Sequence, residues 1–232
     1  MKKFLVLMVV LAAIVMPSMG AAYSIISGSS YGIYQTGLGG EFTLTADGGL
    51  ESLLGAYTGD TSLGTDKFQT FCVEEAEKLY LNTTYTAKLS DSAIYGGVGP
   101  TGDPLSKGTA YLYFQFVTGN LSGYNYKGTE AQRELSAGYL QNTIWMLEGE
   151  SHTIADGNPY PNLVLTKFGS AATDPNYNVS TGLREYPVFV ANLTIGDNRY
   201  QDVLVVATPI PGALWLLGSG LLGLVAVRRR RK

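Results

Sequence analysis

Two apolar segments at the ends of this chain bound what it can fold into. Met1–Ala22 places Lys2 and Lys3 ahead of an uninterrupted apolar run, Phe4–Met16, followed by Pro17 and small residues. That order of charge, apolar core and small residues predicts a secretory signal peptide, cut after Gly20 or Ala22. At the other end Gly212–Val227 is apolar apart from Ser219. This run is shorter than the ~20 residues a helix needs to cross ~30 Å of hydrocarbon. Bilayer thinning and snorkelling cations would cover the difference. Arg228, Arg229, Arg230, Arg231 and Lys232 then act as a cytoplasmic stop. The expected organisation is a signal peptide over 1–22, an exported domain over 23–207 and a membrane-spanning tail over 208–232. The middle is long enough for one substantial domain.

Charge separates in the same way. Of 16 Lys and Arg, seven lie in the two ends, so the middle sets nine basic residues against all 19 acidic ones. Nucleic acid is a poor partner for such a surface, because phosphate binding needs clustered cations. The chain has one Cys and one His. That excludes a disulfide scaffold, a cysteine zinc finger and a multi-histidine metal site. No cofactor is expected. The acidic residues lack the spacing of a calcium loop. Glu74, Glu75 and Glu77 read as a solvated acidic face. Asn82, Asn120, Asn178 and Asn192 head glycosylation sequons, in a chain rich enough in Asn and Thr to produce them by chance.

Glycine (29) and tyrosine (16) are abundant, as in a turn-rich β protein. No repeat of fixed period appears in 23–207. Alternation predicts strands near Glu41–Thr45, Phe68–Val73, Leu79–Leu89, Glu185–Ile195 and Arg199–Ala207. Two helices are expected. In the first, Asp103 is the cap, Pro104 the first position, and Leu105–Val117 the body, closed by Gly119. The second starts at Thr129 with Gln132 completing a capping box, buries a stripe through Ala131, Leu135, Tyr139, Leu140, Ile144, Trp145 and Leu147, and stops at Gly149. Ser151–Thr181, with three prolines, reads as loop. The fold class is α+β: a β-rich, barrel- or sandwich-like domain with a two-helix insert.

A solitary cysteine is unusual in an exported protein, since free thiols outside the cell oxidise. Cys72 sits in Thr70-Phe71-Cys72-Val73-Glu74. It could be a small buried hydrophobe, half of an intermolecular disulfide, a nucleophile or an acylated thiol. As a nucleophile it would need His152, which lies in a polar stretch, and no protease-like signature surrounds it. Two glutamines have apolar settings that suit the last option: Gln141 in Leu140-Gln141-Asn142-Thr143-Ile144-Trp145, and Gln201 in Tyr200-Gln201-Asp202-Val203-Leu204-Val205. A buried amide must be hydrogen-bonded or reacted. A cysteine sulfur held against a glutamine carboxamide can displace ammonia, because oriented groups react as though highly concentrated. The product is an internal thioester, a stored electrophile for an incoming amine or hydroxyl.

These segments resemble the thioester domains of bacterial surface adhesins. The aromatic-Cys-apolar motif is matched by Phe71-Cys72-Val73 and the acyl-donor motif by Tyr200–Val205. An intervening motif of the form Thr/Ala-Gln-x-Ala-Ile-Trp is matched loosely by Leu140–Trp145, with Leu140 in place of Thr or Ala and Thr143 in place of Ala. The resemblance implies a Cys72–Gln201 thioester in a single-use attachment protein that is not an enzyme. Gln141 is the second choice as acyl donor, and Phe71, Trp145 and Tyr200 line the bond. The tail resembles the PEP-CTERM sorting signal of Gram-negative bacteria: Pro209-Ile210-Pro211, a short Leu/Gly-rich span containing Trp215, and an arginine cluster, with Ile210 where the commonest form has Glu. It implies processing by an exosortase, a membrane-embedded transpeptidase-like enzyme, and delivery to the cell surface or extracellular matrix. The alternatives are a non-covalent structural or carbohydrate-binding matrix protein with an inert Cys72, and a cysteine hydrolase built on Cys72 and His152.

Overall fold

In the computed structural model, the alternating segments form a sheet that curls until its ends meet. The structure describes residues 22–27, 35–36, 39–54, 66–94, 102–150 and 153–207. The leader, the tail with Pro209–Pro211 and Arg228–Arg231, and His152 lie outside the described residues. The sheet has seven strands, of which six carry the argument: β1 (Ala22–Ser27), β2 (Phe42–Asp47), β3 (Lys67–Thr70), β4 (Thr84–Ser90), β5 (Val188–Ile195) and β6 (Val203–Val206); the seventh, Asn198–Arg199, is a two-residue strand paired with the end of β5. Their order is β3-β2-β1-β4-β5-β6, with every pairing antiparallel. Just past β3, Cys72 bridges to Val203 of β6 and joins the two ends.

Side-chain alternation then makes two cores. Phe42, Leu44, Phe68, Cys72, Tyr85, Ala87, Phe189, Ala191, Val203 and Val205 pack together inside the curl. Phe71, Val73, Val188, Val190, Leu204 and Val206 point the other way, into a layer of helices. This explains why β5 and β6 are apolar almost throughout: both faces are covered, so period-two polarity disappears.

Three helices cover the outer face: α1 (Lys107–Val117), α2 (Glu130–Leu147) and α3 (Tyr160–Phe168). No helix among the described residues is long and apolar enough to cross a membrane. In α2 the expected capping box is present: the Thr129 hydroxyl accepts from the Gln132 N–H, and the Gln132 side chain accepts from the Thr129 N–H. Gly149, at φ 81°, takes the left-handed conformation that stops the helix.

Three expectations are corrected. Asp103 and Pro104 do not start α1; they pair with Ser92–Ala93 as a short strand, and Ser106 caps the helix through the Thr109 N–H. The Ser106 hydroxyl also donates to Glu148 at 2.7 Å, so a tertiary contact fixes the helix start. The stretch expected as loop contains α3, because Pro161 sits in the first turn, where its missing N–H costs nothing. The stripe of α2 is also rotated: Leu135 is 53% exposed and Ala131 is exposed, while Arg133 is buried.

Arg133 is buried because it is paired. Its Nη2 and Nε donate to Glu41 at 2.6 and 3.0 Å, and its Nη1 donates to the Tyr126 carbonyl at 2.9 Å. Gln69 and the Tyr124 hydroxyl also donate to Glu41. This pair ties α2 to the start of β2. Replacing Arg133 with Met strands a buried carboxylate, and urea denaturation is expected to show a loss of about 3–5 kcal/mol.

Candidate functional site

The bridge that joins the sheet ends also brings the distant chemical motifs together. The Leu204 N–H donates to the Phe71 carbonyl at 3.2 Å, and the Val73 N–H to the Asp202 carbonyl at 3.0 Å. Cys72 and Val203 therefore form a pair without direct hydrogen bonds of their own, the kind in which facing side chains approach most closely. Gln201 lies two residues before Val203, just ahead of β6.

Gln201 is 1% exposed. Its Nε2 donates to the carbonyls of Glu74 and Asp202, both at 3.0 Å, and its backbone N–H donates to the Lys78 carbonyl at 3.1 Å. The carboxamide is thus held through its nitrogen, against the carbonyl of a residue two positions beyond Cys72.

Gln141 has a different position. It projects from α2, accepts from the Cys72 N–H at 2.9 Å and donates to the Cys72 carbonyl at 2.8 Å. The Gly40 N–H reaches the same oxygen at 3.4 Å. The amide satisfies the backbone of Cys72 as a neighbouring strand would. Space for it depends on Gly39, where an added Cβ would lie 2.5 Å from Gln141 Cγ and 2.7 Å from Trp145 Cη2.

The remaining expected neighbours divide. Trp145 joins the inner core that contains Cys72. Tyr200 is half-buried against that core, edge-on to Tyr80 and Tyr85. Phe71 points into the helix layer, edge-on to Phe116 at 5.1 Å between centroids.

The electrostatics are unusual. Burial, with the nearby Glu77 charge, pushes the Cys72 thiol well above its ordinary value, so it is held as a neutral thiol. Glu74 is fully buried, not on the solvated face expected from sequence. Desolvation first, then the Glu150 carboxyl and the charges of Asp202 and Asp103, raises it to about 9. Desolvation and Asp202 raise Glu77 to about 7, and desolvation raises Asp202 to about 6. Asp202 is well held nonetheless: its Oδ2 accepts from the Ile94 N–H at 2.7 Å and from Asn192 Nδ2 at 3.0 Å. That contact also buries Asn192 (3% exposed), so its sequon is inaccessible in the folded chain. Among the described residues no group of acidic, Cys or His side chains forms a metal centre.

Sequence reading missed the buried carboxyls. Glu74 carries no local signal of its burial, which depends on Glu150, Asp202 and Asp103, distant in sequence.

No protein-family model matches this chain, and neither the curated proteins nor the solved structures include a match to it.

Two outcomes follow from this geometry. Gln141→Ala leaves the N–H and C=O of Cys72 unpaired; each orphaned group is expected to cost about 1–3 kcal/mol, read by urea denaturation, with faster alkylation of Cys72. Carboxyls raised on folding bind more protons in the native state than in the unfolded state. Their stabilising contribution is therefore fully present near pH 4 and is lost as pH rises through about 6 to 9. Thermal melts should show a falling midpoint across that range, and Glu74→Gln should flatten its upper part.

Proposed function

We propose that this protein is an exported attachment protein in which Cys72 and Gln201 form an internal thioester, for covalent capture of an amine or hydroxyl on a partner. The observation that carries the reading is the pairing of Cys72 with Val203, together with the bond from Gln201 Nε2 to the carbonyl of Glu74, two residues beyond Cys72. Three features support it further. Gln141 fixes the Cys72 backbone from both sides. The Gln201 nitrogen, which would leave as ammonia, is already oriented by two carbonyls. Burial shields an acyl-sulfur bond from water. The raised thiol disfavours a cysteine hydrolase, which needs a thiolate at neutral pH.

On this reading the bond is consumed once and there is no turnover, so the protein is not an enzyme. Signal-peptide export, exosortase-type sorting at Pro209-Ile210-Pro211 and delivery to a Gram-negative cell surface or matrix belong to the same proposal and rest on the terminal sequences. The second reading is a non-covalent matrix protein. It is favoured by one observation: Cys72 packs among apolar side chains as an ordinary small hydrophobe would.

Intact-mass measurement on the folded protein separates the two. The thioester predicts a mass lower by one ammonia and a methylamine adduct, both absent in Cys72→Ala and Gln201→Ala. An unmodified mass with a thiol that alkylates after unfolding to full occupancy would sink the covalent reading.

A further inference from the structure

Between Cys72 and β4 the chain leaves the sheet and returns to it without regular structure. The excursion is fixed to the core on both sides. On the first, Cys72 bridges to Val203, and the Val73 N–H donates to the Asp202 carbonyl at 3.0 Å. On the second, the Tyr80 N–H donates to the Tyr85 hydroxyl at 2.7 Å. The Tyr80 carbonyl accepts from that hydroxyl at 3.0 Å and from Ser27 Oγ at 2.7 Å.

Residues 74–78, between these anchors, are clasped at both ends by one residue. Gln201 Nε2 donates to the Glu74 carbonyl at 3.0 Å, and the Gln201 backbone N–H donates to the Lys78 carbonyl at 3.1 Å. The segment rises from buried Glu74 to exposed Ala76 and Lys78. Cys72 and Gln201 themselves are 4% and 1% exposed, so an external nucleophile reaches them only if something moves.

One arm of the clasp is the atom that a thioester expels. The Cys72 Sγ bonds to Cδ of Gln201, the Cδ–Nε2 bond breaks, and the thiol proton leaves with the nitrogen. The sum is thiol plus amide to thioester plus ammonia. The backbone N–H of Gln201 is untouched. A water in the place of the nitrogen can satisfy the Glu74 carbonyl, but it does not tie that carbonyl to residue 201. Burial favours release as well. Both carboxyl oxygens of Glu74, and Oε1 of Glu150, are buried without a hydrogen-bond partner among the described residues. Such burial costs free energy whether or not the group carries a proton, so Glu74 gains by reaching water.

We propose that residues 74–78 are a strap that Gln201 clasps twice as an amide and once as a thioester, so that opening toward an incoming nucleophile becomes frequent only after the bond has formed. This rests on the thioester reading above. The unreacted precursor stays shut. The acyl-sulfur bond, once made, is shielded between openings and reached during them.

The test uses the full-length chain, with the bond read by intact mass. Two rates report on the strap: hydrogen exchange of the residue 201 backbone amide, which donates to Lys78, and tryptic cleavage after the exposed Lys78. Cys72→Ala keeps the amide and both arms of the clasp. Wild type carrying the bond should exchange and be cut about tenfold faster, in keeping with the loss of one buried hydrogen bond, while the amides of α1 exchange alike in both. Gln201→Met combined with Cys72→Ala has neither the bond nor the side-chain donor, and should be as fast as wild type. Equal rates in bonded wild type and Cys72→Ala overturn the strap and leave the thioester standing. A double variant as slow as Cys72→Ala does the same. Absence of the bond from wild type overturns both. Should the double variant fail to fold, the comparison of wild type with Cys72→Ala decides alone.

Discussion

The pairing of Cys72 with Val203 is the contact on which the rest of this fold depends. It joins the end of β3 to β6, residues far apart in sequence, and so converts an open sheet with two free edges into a closed one. The same contact separates an inner core from an outer one, because it fixes which of Phe71, Cys72 and Val73 faces the helices. A pairing this distant is entropically costly to form and comes late unless something holds it. Gln141 supplies that hold: one side chain on α2 satisfies the Cys72 backbone on both polar groups. Three segments from the start, middle and end of the domain therefore meet at one residue. Any chemistry that needs Cys72 beside Gln201 waits for the whole domain to fold.

Buried charge is handled in two opposite ways. At one end of α2, Arg133 neutralises Glu41, with neighbouring donors completing the carboxylate's bonds. Near the other end, Glu74 is buried beside Glu150 and near Asp202 with no cation of comparable intimacy, and protonation is the only way to lower the cost. A fold selected for stability alone would place an apolar residue there. A local rule broken in this way, next to a thiol and an amide, is where functional constraint is expected to show.

The sequence exposed those elements whose signals are local. Thr129 with Gln132, and Gly149 after Leu147, mark α2 because capping and left-handed termination are settled within a few residues. The start of α1 was not legible, since Ser106 prevails over Asp103 through Glu148, the residue that ends α2. Leu135 misled for a related reason: an apolar residue at helical spacing was outweighed by Arg133, whose partner Glu41 lies many residues away. At the site, the three motifs could be read in order, but their convergence could not. Nothing between residues 72 and 201 encodes closure locally. Glu74 was misread because its burial depends on Glu150, Asp202 and Asp103, which lie far from it in sequence.

Two buried glutamines near one cysteine look interchangeable in sequence, and their bonding separates them. Gln141 is engaged through both oxygen and nitrogen, and both engagements serve the backbone of Cys72 and Gly40. Loss of its nitrogen would unpair the Cys72 carbonyl and loosen the cysteine that attack requires. Gln201 is held among the described residues through nitrogen alone, by the carbonyls of Glu74 and Asp202. Departure of that nitrogen leaves two carbonyls that a single water or the departing ammonia can satisfy, while the Cys72 backbone keeps its partners. On the proposed thioester reading, the arrangement that positions the sulfur and the arrangement that releases the amine are carried by different side chains. That division would let one react while the other stays fixed.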